Sequence, residues 1–134
     1  MKNELRIVCL AAVCAAVVLF VSCVTEKPSI PEGLGAAEIF QRAQDAADRG
    51  DFELGITYYT LYRDKFPDDA EHDAWASYEI AFLYHKMGKN DTALTLVNQL
   101  LDQYARQGDT LPPAPRILAD KLKTRLEAAA PKKQ

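Results

Sequence analysis

Gly50-Asp51-Phe52-Glu53-Leu54-Gly55 and Gly88-Lys89-Asn90-Asp91-Thr92-Ala93 decide how this chain folds. Each begins with a glycine that closes one apolar run and is followed at once by another. The two stretches lie 38 residues apart, and the same offset pairs Tyr59 with Val97, Tyr62 with Leu100 and Phe66 with Tyr104. Self-similarity at a fixed spacing of this size is the mark of a stacked repeat.

Working outward, apolar residues recur at three- and four-residue spacing and nowhere alternate as a half-buried strand requires, so the fold class is all-α. A first helix is expected over Ala36 to Asp48, burying Ile39, Phe40, Ala43, Ala46 and Ala47 and ending at Gly50. A second, over Phe52 to Lys65, presents Phe52, Gly55, Ile56, Tyr59 and Tyr62. It breaks at Phe66-Pro67, because proline disfavours the α region for the residue before it. The third begins around Asp69 to His72, where acids suit a helix N-terminus, and runs to Met87 through Trp75, Tyr78, Ile80, Ala81, Phe82 and Tyr84. The fourth covers Asp91 to Tyr104 with Asp91 as N-cap. A loop over Gly108 to Pro115 leads to a fifth helix, Arg116 to Ala129, showing Ile117, Leu118, Leu122 and Leu126.

A helix-ending glycine, a small residue in the following helix, further packing residues and a closing proline at Pro67 resemble the tetratricopeptide repeat. Ile80, Ala81 and Tyr84 match the large, small and aromatic signature of that repeat's first helix. The resemblance covers Ala36 to Ala105 and departs at Gly55, Asn90 and Ala105, which stand where alanine, an aromatic and a second proline are usual. It implies two helix-turn-helix units over residues 36–105, followed by a loop, capping helix and basic tail over 106–134. Small residues at Gly55, Ala81 and Ala93 let paired helices approach closely.

The N-terminus has a different character. Lys2 and Arg6 precede the uncharged run Ile7 to Val21, the layout of an export signal. Phe20-Val21-Ser22-Cys23 resembles the lipobox of bacterial lipoproteins, with Phe20 in place of the usual leucine. The resemblance implies a signal peptide over residues 1–22, a diacylglycerol on the Cys23 thiol and acylation of the new amino group, while the prolines and glycines of Thr25 to Gly35, without periodicity, make residues 23–35 read as a lipidated cysteine and flexible tether. Two or more acyl chains give stable membrane attachment. The competing reading is an uncleaved span, since Ile7 to Val24 is just long enough to cross a bilayer. Cys9 and Cys14 read as apolar filler. Val24 in place of aspartate after the cysteine argues for the outer membrane over retention at the inner one.

Composition narrows the functions. The chain carries a net charge of −3, which is unlike a nucleic-acid binder. All three cysteines lie in the N-terminal segment, so the helical part has no thiol for a disulfide or a thiolate metal site. His72 and His85 read as lone histidines without a carboxylate partner, and the acids of Asp68 to Asp73 as helix-start and loop residues. No catalytic triad, phosphate loop or metal spacing is visible, so neither an enzyme nor a cofactor is expected.

In tetratricopeptide proteins the first helix of each unit lines a concave face. The resemblance therefore points to a binding groove of Trp75, Tyr78, Phe82, His85 and Lys86, whose aromatics suit a peptide or partner helix. Ala37, Phe40 and Gln44 on the first helix lack the basic set that grips a peptide carboxylate. Anchor, spacer and repeats together resemble the tetratricopeptide lipoproteins of outer-membrane β-barrel assembly, in Tyr59 to Pro67 and Ala74 to Tyr104, a family with more repeats than this chain. The expectation is a scaffold for a protein or peptide partner in an envelope complex. The alternative is a small-ligand-binding accessory of a transport system. Arg116, Lys121, Lys123, Arg125, Lys132 and Lys133 form a basic end that reads as a solvated cap and tail, with contact to anionic lipid headgroups or an acidic partner as the alternative.

Overall fold

The computed structural model describes residues 31–129. Cys23, the signal segment over 1–22, most of the tether and the tail lysines Lys132 and Lys133 lie outside these residues. Five α-helices follow one another: α1 (Ala36–Asp48), α2 (Phe52–Lys65), α3 (Ala70–Lys86), α4 (Asn90–Gln107) and α5 (Pro113–Ala129). No strand occurs among the described residues, as the spacing of apolar residues requires. Each helix packs on the next, and α3 also packs on α5.

The corners at Gly50 and Gly88 are equivalent bond for bond. Gly50 N–H donates to the Ala47 carbonyl at 3.0 Å and Asp51 N–H to Ala46 at 2.9 Å, while Gly88 donates to His85 and Lys89 to Tyr84, both at 2.9 Å. This is the Schellman closure, which needs a left-handed residue just past the helix, and both glycines supply it with φ of 80° and 75°. One turn into the next helix the match persists. Thr57 Oγ1 donates to the Glu53 carbonyl and Thr95 Oγ1 to that of Asp91, at 2.8 and 2.9 Å. Since both corners close the same way, the 17-residue α3 extends beyond the 13-residue α1 at its N-terminal end, by about one turn.

Packing inside each hairpin depends on small residues. Gly55, Ala43, Ala81 and Ala93 are fully buried, and a Cβ on Gly55 would come within 3.0 Å of Leu83 Cδ1 and 3.4 Å of the Ala43 carbonyl oxygen. Farther along, Tyr78, Ala81, Val97, Leu100, Ala119, Leu122 and Leu126 join α3, α4 and α5 in one apolar cluster. The buried Tyr104 hydroxyl donates to the Pro112 carbonyl at 2.6 Å and holds the end of α4 against the start of α5.

Three sequence expectations are corrected. Asp91 does not cap α4: the N-cap is Lys89, without a side-chain bond, and Asp91 sits in the first turn. The equivalence of the corners dictates this, because Lys89 occupies the place of Asp51, whose carboxylate accepts from Leu54 N–H at 3.2 Å. Helix α5 starts at Pro113 rather than Arg116, since prolines in a first helical turn forfeit no intrahelical bond. Ile117 is 52% exposed. The buried stripe runs through Pro115, Ala119, Leu122 and Leu126, and at 100° per residue Ile117 falls well outside it.

Candidate functional site

Helices α1 and α3, the first of each hairpin, leave a seam between them that holds two clefts. The larger, about 570 Å³, is lined by Phe40 and Gln44 from α1, Tyr62 from α2, and His72, Trp75 and Glu79 from α3, with Asp69 and Glu71 at its end. The smaller, about 350 Å³, is lined by Asp48, Phe52, Glu79, Phe82 and Lys86. Glu79 lines both, so the two clefts adjoin at this residue along α3 and together make up the groove face.

An aromatic wall closes the large end. Phe40 meets Tyr59, Tyr62 and His72 edge to face, with centroids 5.2, 5.2 and 5.4 Å away. Such contacts fix ring orientation. Asp69 organises the same end. Its carboxylate accepts from the Tyr62 hydroxyl at 2.7 Å and from His72 N–H at 3.1 Å, and lies 3.0 Å from His72 Nδ1. Burial, with Asp69 beside it, pushes the Tyr62 hydroxyl up to about 12. The Tyr62 hydrogen bond, then those from His72, hold Asp69 below the usual carboxylate range. The cap of α3 and the wall of the cleft are thus one hydrogen-bonded unit.

Glu79 is half-buried, and its carboxyl is raised above the ordinary value, first by desolvation and then by Asp48 across the seam. Tyr59 beneath is raised by burial and then by Glu79 and Asp48. Burial disfavours the charged form, and neighbouring acids add to the effect.

The five expected groove residues do not share one surface. Trp75 lines the large cleft, and Phe82 and Lys86 the small one. Tyr78, 9% exposed, lies in the α3–α4–α5 cluster, stacked at 6.0 Å on Phe82. His85 bridges the Gly88 corner, its Nδ1 2.9 Å from Asn90 Oδ1. Neither lines the groove. His72 is not lone either: Asp69 partners it, because an N-cap carboxylate reaches both the backbone and the side chain three residues on. Asp73 also departs from the reading of Asp68 to Asp73 as solvated acids, pairing with Arg63 at 2.6 Å between α2 and α3.

Glu79, Asp48, Tyr62, Asp69 and His72 are among the groove residues that sequence reading missed. One signal was present: Glu79 is the sole charge within Ala74 to Tyr84, four residues after Trp75 and so on its face. Among the described residues no cluster of three or more metal-ligating side chains occurs and no helix is long and apolar enough to cross a membrane. No protein-family model, curated protein or solved structure matches the chain.

Proposed function

We propose that the protein is a lipid-anchored scaffold of the bacterial cell envelope that holds a segment of a partner protein in the groove between α1 and α3. The observation that carries this reading is the groove itself, with rigid aromatic walls at Phe40, Tyr62 and Trp75 and polar groups at intervals along it. A rigid aromatic surface holds a partner at low entropic cost. The tetratricopeptide resemblance supports the reading, since the two Schellman corners share the offset of the sequence repeat and the longer α3 accounts for its excess over 34 residues. The anchor rests on Cys23 behind the apolar run, and the proline- and glycine-containing tether would hold the helices off the bilayer.

Incorporation of labelled palmitate that disappears in Cys23→Ala tests the anchor. An intact full-length N-terminus on the mature protein would refute it. For recruitment, a photo-crosslinking residue at Gln44, in the groove, should give a discrete protein adduct in native envelopes, absent from the exposed Thr95 on α4. Adducts of equal yield from both positions would refute it. A second reading, capture of a small ligand, is favoured by the size of the large cleft, which falls within the usual 300–1,000 Å³ of such sites. Ligand-dependent melting without any protein adduct from Gln44 would select it.

A further inference from the structure

Glu79 stands where the two clefts meet. Among the described residues it has neither a hydrogen-bond nor an ion-pair partner, although it is half-buried. A partly desolvated carboxylate without a partner is a cost to the fold, and leucine or methionine would remove it. Asp48 aggravates that cost from the opposite helix, and Glu71 lines the same groove. Asp69 and His72 already answer each other, which leaves Lys86, at the far end, as the one basic lining residue without such a pair among the described residues. The groove is therefore acidic at its centre and aromatic at its larger end.

We infer that the partner segment carries an arginine or lysine set against Glu79 and Asp48, with an aliphatic or aromatic neighbour seated between Phe40 and Trp75. The inference rests on the recruitment reading and specifies the partner's chemistry. A guest cation satisfies the carboxylate at the moment the groove is covered, so charge that destabilises the free protein becomes attraction in the complex. The aliphatic stem of the guest lies on the aromatic wall, and a guanidinium gains further from a ring face. Lys86 gives the groove a direction, because a second basic group at that end meets like charge.

The test is selection from a randomised ten-residue peptide library on phage against the full-length chain in detergent micelles, followed by affinity measurement of the enriched peptides. Enrichment of Arg or Lys beside an apolar residue is expected, with binding weakened about tenfold by Glu79→Gln and also weakened by Trp75→Ala. Glu79→Gln should melt no lower than the wild type, which separates lost recognition from lost folding. Peptides that lose binding in Trp75→Ala but show no basic preference, or ignore Glu79→Gln, overturn the inference and leave recruitment standing. Absence of any peptide sensitive to Trp75→Ala overturns both. A dimer that Glu79→Gln dissolves would assign the groove to another copy's basic tail and equally overturn the proposal.

Discussion

The seam between α3 and α5 and the seam between α1 and α3 begin from comparable geometry and end differently. At the first, Tyr78 meets Ala119, Leu122 and Leu126 in a buried cluster. At the second, the positions of α1 that correspond to Tyr78, Phe82 and Lys86 are Phe40, Gln44 and Asp48, and they border open clefts opposite Trp75 and Glu79. Equivalent corners orient both hairpins, so the difference lies in side chains. A repeat surface becomes core where the facing residues are aliphatic and a groove where amides and carboxylates cannot be dehydrated without partners.

Substitutions break or sharpen this contrast. The largest effect is expected from Leu122→Ala in the closed seam, about 2–5 kcal/mol of stability lost to a cavity, whereas Gln44→Ala in the open seam should change stability by less than about 0.5 kcal/mol. Urea unfolding of the two variants checks both, and equal losses would erase the distinction. Next, the double change Gln44→Leu with Glu79→Leu supplies the apolar contact that the open seam lacks. It should stabilise the chain by about 1 kcal/mol or more and abolish any binding at the groove, as melting and titration would show.

The corners should respond alike, since the contrast assigns them no part in it. Gly50→Ala and Gly88→Ala each force a Cβ into left-handed backbone and should cost about 1 kcal/mol apiece, measured by thermal unfolding. Losses differing severalfold would mean that the hairpins are not equivalent.

The smallest expected effect is on pH dependence, where two of the groove's carboxyls, Glu79 and Asp69, are shifted in opposite directions. Glu79 is raised in the folded state, so its contribution to stability is fully present below the ordinary 4.5 and is lost as pH rises through the raised folded value. Asp69 is lowered, so its contribution is present above the ordinary 3.8 and is lost as pH falls through the lowered folded value. Comparing unfolding midpoints of Glu79→Gln and the wild type across pH should therefore show the variant gaining ground from acid towards neutrality.

Much of the fold was legible in the sequence because glycine and proline punctuate it. The bounds of α1 and α2 agree with Ala36–Asp48 and Phe52–Lys65, where Gly50, Asp51 and Pro67 leave little choice. At α5 the sequence reading puts Pro113 and Pro115 in the loop with Pro112, although a first helical turn tolerates them and only Pro112 lies outside the helix. The groove was legible only in part. On α3, the stripe Trp75, Glu79, Phe82, Lys86 and the stripe Ala74, Tyr78, Ala81, His85 are one residue apart, about 100° around the axis. Periodicity identifies both stripes as inward-facing, but which of them meets α1 and which meets α5 depends on how the hairpins stack. Asp69 with His72 and Glu79 with Asp48 are likewise products of the folded geometry, which composition does not disclose.

Trp75 is the chain's single tryptophan and lines the larger cleft while also packing against the α3–α4–α5 cluster, so the access of dissolved quenchers to its fluorescence reports on the open side. An accessible, acidic groove predicts that caesium ion quenches this emission more efficiently than iodide at equal ionic strength, and that Glu79→Gln narrows the gap between the two. Emission shielded from both ions, or quenched better by iodide, would contradict an open acidic seam.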